Sequence, residues 1–331
     1  MKKIKSLFFT IYLVFSIFHL HAKEDNNMNI LQNKPVFELK IAGLGAMYFI
    51  ELNGVRVFKQ YSSEGKVQAR LPINHYMKSG ENTIKILSWS GDKSPINPHA
   101  YVNVELIVSD NNHPENEFTV TALRFDNTGP VENKTVTSSL AGKYNSLQGF
   151  IAEDVGDVTI GEVVSDQVKN VFTYTRNVTI PSSLPLWAFF TSDEFPHYAS
   201  MGDDEYYQNV DNLLTEYLKV QNAIENKDIS SILPMFEERN KELDAAFYYA
   251  PGTHAKKIGI ALNDAANDET ATLVGLKSKS VVFDTSKNNK LNRLARKRKN
   301  SAIVLNYNEI EGSYRFDMIF RLKDGKWILT R

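Results

Sequence analysis

The sequence predicts a two-domain chain, an antiparallel β-sandwich followed by an α+β domain. Three observations predict it. Short alternating apolar stretches, divided by Gly, Pro, Asn and Ser, recur from Phe37 to Ile180. That is the spacing of an all-β domain. Apolar residues at helical spacing first appear after Asp203 and continue to Ala266. Period-two alternation then returns and holds to Arg331.

The chain opens with Lys2, Lys3 and Lys5, a mostly apolar stretch from Leu7 to Leu20, and His21-Ala22 before Lys23. This is the pattern of a removable secretory signal peptide, residues 1–22, cleaved after Ala22. The apolar run is about 14 residues, whereas a membrane span needs roughly 20. Removing 22 of the 331 residues leaves 309, enough for two cores. No other segment has the length and apolarity to cross a membrane, so the processed chain is not expected to span one.

There is no cysteine. That removes disulfides, thiol nucleophiles, thiolate metal sites and a lipid-anchored cysteine together. An exported chain without disulfides and rich in Lys, Asn and Ile fits a bacterial protein of the periplasm or exterior. The 38 basic side chains lose three lysines with the leader, leaving 35 against 39 acidic ones and a charge near −4. Such a balance gives no global attraction to nucleic acid or to anionic membrane.

Residues 23–34 are polar and Asn-rich, a flexible leader. The sandwich is expected over residues 35–181. Phe37, Leu39 and Ile41 alternate with Glu38 and Lys40, and Gly43 and Gly45 are read as the end of that strand. Met47–Leu52 and Val55–Phe58 flank Asn53-Gly54, a hairpin with a type I′ turn, since Asn and Gly tolerate positive φ. Further strands are read at Val67–Leu71, Thr83–Ser88, Tyr101–Val108, Phe118–Phe125, and Phe172 to Ile180. Residues 126–146 read as a long loop. The strand pattern suits an immunoglobulin-like or jelly-roll topology. The run Glu51-Leu-Asn-Gly-Val-Arg-Val, then Leu71-Pro-Ile-Asn and Gly80-Glu-Asn-Thr-Ile-Lys-Ile, resembles β-sandwich modules of exported binding proteins. The resemblance implies a scaffold and no activity.

Residues 182–202 form an aromatic-rich connection with Trp187, Phe189, Phe190, Phe195 and Tyr198. The second domain is expected over residues 203–331. Asp203-Asp204-Glu205 suits the first turn of a helix, where carboxylates favour the dipole. Tyr206, Val210, Leu213, Leu214, Tyr217, Leu218 and Ile224 follow on one face. Asp228 is read as the N-cap of a second helix from Ile229 to Phe247, kinked at Pro234. Ala255–Ala266 is a third helix. Ala271–Phe283 returns to strand chemistry. Ile303, Leu305 and Tyr307 begin a terminal meander, Tyr314 to Leu322 continue it as one strand, and Asp324-Gly325 turns into Trp327 and Leu329.

Ala223-Ile-Glu-Asn-Lys-Asp-Ile on the helical side and Phe320–Leu329 on the sheet side resemble the nuclear-transport-factor-2-like cone. The resemblance covers residues 203–331 and implies three helices against a twisted antiparallel sheet. Enzymes of that family keep an Asp–His or similar dyad inside the cone. Here His254 is the one histidine of the region, with no partner at a fixed spacing.

No catalytic or cofactor pattern stands out. The histidines after the leader, His75, His99, His113, His197 and His254, make no i, i+3 or i, i+4 pair and no HExxH. No metal site is therefore expected. There is no G-x-S-x-G elbow, no P-loop and no dinucleotide fingerprint. Neither catalytic residues nor a cofactor are expected. The aromatic cluster Trp187, Phe190 and Tyr198 reads either as glue between the domains or as an exposed platform. The run from Lys287 to Lys299 holds seven basic residues and reads as a loop or short helix between strands. Concentrated positive charge in an acidic chain steers association with an acidic surface.

The expectation is an exported, non-catalytic protein that binds or neutralises another protein in the periplasm, as an immunity-type inhibitor does. The partner would be a toxin or an envelope-acting enzyme, and not nucleic acid. Arg293, Arg296, Lys297, Arg298 and Lys299 are the expected charge contacts, with Trp187, Phe190 and Tyr198 second. The alternatives are a carbohydrate or envelope-polymer binding module using exposed aromatics, and an enzyme using the cone pocket.

Overall fold

The computed structural model describes residues 34–89, 97–127, 154–163, 171–196, 200–296, 300–309 and 312–331. The segments expected to be a signal peptide and a leader (all but Lys34), most of the expected 126–146 loop, Tyr198, and Lys297 to Lys299 lie outside the described residues. No described helix is long and apolar enough to cross a membrane.

The N-terminal half is built from β1 (Pro35–Leu44), β2 (Met47–Leu52), β3 (Val55–Gln60), β4 (Lys66–Pro72), β5 (Gly80–Trp89), β6 (Tyr101–Asp110), β7 (His113–Asp126), β8 (Asp154–Val155), β9 (Thr159–Val163) and β10 (Val171–Ile180). One antiparallel sheet runs β4-β1-β6-β7, and the other runs β3-β2-β5-β10-β8 with β9 also on β10. Their inner faces share one buried cluster. Phe37, Leu39 and Ile41 of β1 and Val102, Val104 and Leu106 of β6 meet Tyr48, Ile50, Ile84, Ile86 and Val178 of the second sheet. Burial is worth about 1.5–3 kcal/mol for each large apolar side chain, and the strict alternation along β1 aims every second residue inward.

Asn53 and Gly54 both take positive φ, 52° and 76°, the type I′ pattern that the Asn-Gly pair predicts. Gly43 does not end β1. The strand continues to Leu44, and Gly43 leaves room for the Tyr48 side chain, whose hydroxyl and ring a Cβ there would meet at 2.6 and 2.8 Å.

The C-terminal half holds α1 (Asp203–Glu225), α2 (Glu237–Ala246) and α3 (Thr253–Asn267), then β11 (Ala271–Leu273), β12 (Val282–Thr285), β13 (Asn292–Arg296), β14 (Asn300–Ser301), β15 (Ile303–Tyr307), β16 (Ser313–Phe316), β17 (Phe320–Lys323) and β18 (Lys326–Leu329). Val210, Leu213, Leu214, Tyr217, Val220 and Ile224 face the core from α1 at helical spacing, and its first turn carries Asp203, Asp204 and Glu205. Between α1 and α2 the chain makes short 3-10 turns at Ile229–Ser231 and Leu233–Phe236 in place of one kinked helix. Pro234 has no N–H, so it fits a first turn but not a helix interior. Asp228 makes no side-chain cap; its carboxylate accepts from Ser230 Oγ instead.

The terminal strands do not form one meander. β11-β15-β16 make one sheet, and β12-β13-β17-β18 make another, with β14 on β13. The expected strand from Tyr314 to Leu322 divides at Asp317–Ile319. There the Met318 carbonyl accepts from Tyr217 Oη at 2.6 Å, and Ile319 N–H donates to Arg331 O at 2.8 Å. These bonds take the backbone out of the ladder. Helices and sheets close on a second buried cluster in which Leu213, Tyr217, Phe236, Leu262, Phe283, Leu294, Leu305 and Phe320 fill the interior.

A smaller cluster of Val55, Trp187, Phe189, Ala246 and Leu291 joins the two halves. Asn74 Nδ2 donates to Ala246 O at 2.7 Å, Tyr248 Oη to Pro35 O at 3.0 Å, and Lys287 N–H to Gly54 O at 2.8 Å.

Candidate functional site

The described part of the basic run, Lys287 to Arg296, is turn and strand. Asn292–Arg296 is β13, paired to β12 from Thr285↔Asn292 to Val282↔Ala295. The loop or short helix expected there gives way because Leu294 and Ala295 are buried, which fixes the register. Arg293 donates from Nε and Nη2 to Asp284 Oδ2 at 3.1 and 2.8 Å, and from Nη1 to Asp317 Oδ1 at 3.1 Å. Its side chain is 13 % exposed. Burial alone would lower its pKa, but Asp317 and Asp284 hold it above the ordinary value. Arg296 donates to the carbonyls of Ala302, Val274 and Gly275 at 2.8–3.0 Å, tying β13 to the neighbouring sheet. Both arginines are thus internal links and not the open surface charge expected of them. Lys290 Nζ likewise donates to Phe190 O at 2.9 Å.

The aromatic connection is largely inside. Trp187 is 5 % exposed, and its indole N–H donates to the carbonyls of Asn74 and Met77 at 2.9 and 3.1 Å. Phe190 is half-buried, with its ring 4.1 Å from that of Phe189. These contacts follow the glue alternative, not the exposed platform.

Two arrangements were invisible to spacing. Asp284 accepts from Arg293 and also from Arg56 Nη1 of β3 at 3.3 Å, so one carboxylate links the halves. Asp317 extends the chain and accepts from Ser301 Oγ at 2.6 Å. The second arrangement gives His254 the partner that its sequence neighbourhood hid. Its Nδ1 lies 2.6 Å from Asp244 Oδ1, and both side chains are buried. The same carboxylate accepts the N–H groups of Gly252 and His254 at 2.8 and 3.0 Å. Asp244 therefore caps the start of α3 and orients the ring at once. Burial lowers the His254 pKa, while the hydrogen bond and charge of Asp244 oppose that shift.

Side chains of the second buried cluster, Tyr217, Phe283, Leu294 and Phe320 among them, pack together between the helices and sheets of the C-terminal half. An open depression of about 360 Å³ lies outside it, on the surface at the end of α1, lined by Asn222, Ala223, Asn226, Asp228 and Ile232 among others. Among the described residues, no group of three or more His, Asp or Glu could hold a metal ion. Comparison with protein-family models, with curated proteins and with solved structures finds no match.

Proposed function

We propose that the chain is an exported protein that acts by binding another protein in the periplasm, as an immunity-type inhibitor of a toxin or envelope-acting enzyme does. In this reading the N-terminal half is a β-sandwich domain of immunoglobulin-like or jelly-roll kind. The C-terminal half is a nuclear-transport-factor-2-like cone. The observation that carries the reading is the buried side-chain cluster between the helices and sheets of the C-terminal half. Tyr217 of that cluster is 1 % exposed, with its hydroxyl bonded to both Met318 O and Leu294 N–H. A cluster packed in this way favours recognition by the outer surface. The buried Trp187 weighs against a polymer-binding module, since an engaged indole cannot stack on a sugar.

A second reading, an enzyme, is favoured by the Asp244–His254 contact alone. It draws on a carboxylate already committed to capping α3.

The test is capture from a periplasmic fraction at low salt with the full-length tagged protein, followed by mass spectrometry. One stoichiometric protein partner is expected. Retention of envelope glycan with no protein would transfer the function to polymer binding.

A further inference from the structure

The depression at the end of α1 has two kinds of lining. Lys219, Asn222 and Asn226 come from α1 and its cap, and Asp228 and Ser231 from the turn that follows. All five are exposed. Ala223, Ile232 and Met235 supply an apolar wall. Ala223 and Ile232 belong to the buried cluster of the C-terminal half, so packed side chains back that wall. A volume of about 360 Å³ admits one long side chain.

The charge left unpaired in this lining is negative. Asp228 is fixed by its neighbours. Its N–H donates to Ala223 O at 2.9 Å, its carbonyl accepts from Ser231 Oγ at 2.8 Å, and its Oδ1 accepts from Ser230 Oγ at 3.0 Å. Among the described residues no cation pairs with that carboxylate, and the side chains of Asn222 and Asn226 make no hydrogen bond. The one lining cation is already engaged. Lys219 Nζ donates to both Glu216 oxygens at 2.7 Å, and it stands seven positions before Asn226, about 10 Å along the helix. Lys227, between Asn226 and Asp228, does not line the depression. A separate observation has the same sign. The last turn of α1 carries no basic residue, so nothing within the helix offsets the negative end of its dipole.

We propose that this depression receives the side chain of an arginine presented by the protein partner. The inference rests on the protein-binding reading above and gives that partner a basic contact. The guanidinium meets the Asp228 carboxylate and the carboxamide oxygens of Asn222 and Asn226, and its methylene stem lies on Ala223, Ile232 and Met235. Five N–H donors in one plane serve several separate oxygen acceptors, which the compact charge of an ammonium does not. The thioether of Met235 adapts to the stem. Because Asp228 is held before the partner arrives, little ordering is lost on binding.

The test titrates the ¹⁵N-labelled full chain with N-acetyl-argininamide at low salt and follows the side-chain amide resonances of Asn222 and Asn226. Saturable shifts at both are expected at millimolar probe, weakened about fivefold by Asp228→Asn and about threefold by Asn226→Ala. The uncharged N-acetyl-norleucinamide should leave both resonances in place. Melting temperatures check that the fold is kept, and both substitutions lie at exposed positions. No saturable shift, or shifts indifferent to Asp228→Asn and Asn226→Ala, overturns the site. Equal or tighter binding of N-acetyl-lysinamide overturns the guanidinium. Tighter Asp228-dependent binding of spermidine than of N-acetyl-argininamide overturns the protein source. A captured periplasmic partner whose retention ignores both variants also overturns the site, while the binding reading stands. Asp228-dependent binding of N-acetyl-argininamide with no captured protein upholds the guanidinium site and overturns that reading.

Discussion

The guanidinium of Arg331 donates to the carbonyl oxygen of His75 at 2.9 Å, so the last strand region is bound to the N-terminal half. Its other nitrogen pairs with Glu242, whose second oxygen accepts the Ala188 N–H at 2.6 Å. The side chain is 2 % exposed and lies 4.9 Å over the Phe189 ring. Three parts of the chain thus meet at one cation. Arg331→Ala leaves Glu242 charged and part-buried. It is expected to cost about 3–5 kcal/mol in urea unfolding. Lysine cannot reproduce the fork, so Arg331→Lys should recover little. A loss below about 1 kcal/mol would show the clasp to be dispensable.

Tyr217 performs a similar task inside the C-terminal half. Its hydroxyl donates to Met318 O at 2.6 Å and accepts Leu294 N–H at 3.1 Å. Burial raises its pKa well above the ordinary value, so it stays protonated. Tyr217→Phe keeps the ring and strands two buried backbone groups. The expected loss is about 1–3 kcal/mol by chemical denaturation. Faster amide exchange at Leu294 would locate the effect.

Acid should loosen the seam. Burial holds the His75 pKa well below its ordinary 6.5, helped by the charges of Arg331 and Arg239. Burial also lowers that of His254, with Asp244 opposing. Each ring is neutral when folded and gains its proton more readily when unfolded. Stability is therefore level above about pH 6.5 and falls as pH drops below it. The His75 ring lies 4.1 Å from that of Tyr76 and 5.4 Å from that of Phe247, so His75→Phe suits the site. That variant should show a shallower loss of melting temperature between pH 6.5 and 5. An unchanged slope would assign the acid sensitivity to other groups.

Gly54 is required twice. Its φ is +76°, and a Cβ there would meet Asn288 N at 3.0 Å. Gly54→Ala therefore strains both the hairpin and the seam bond from Lys287 N–H to Gly54 O. About 1–2 kcal/mol is expected from the left-handed backbone alone. Equal stability of the variant would mean that the turn changes type at no cost.

The readable parts of this chain are those that local chemistry decides. Asn53-Gly54 and Asp324-Gly325 both form turns with positive φ, because few other pairs tolerate it. The α1 stripe from Val210 to Ile224 is a period, and a period is visible without a partner. The break at Asp317–Ile319 was hidden, because alternation continues through it while Tyr217, 101 residues away, takes the Met318 carbonyl. Arg56 and Asp284 are 228 positions apart, and no spacing rule brings them together. Asp244 reaches His254 across a turn in which Tyr248 and Gly252 both have positive φ. Pattern alone does not foresee that geometry at Tyr248.

The basic run separates into two tasks that charge reversal can distinguish. Arg293 is held by Asp284 and Asp317, and Arg293→Glu would set three carboxylates together in a place 13 % exposed. That change should cost about 3–5 kcal/mol and reduce the folded fraction whether or not a partner is present. Lys297, Arg298 and Lys299 follow Arg296, which pairs with Asn300 across β13–β14. Changing those three to Glu should leave the melting temperature within a few degrees. It should slow partner association about tenfold or more at low salt, with the difference shrinking as salt rises. A triple variant that unfolds would make the run structural throughout. One that keeps its fold and its low-salt on-rate would remove these three residues from the interface.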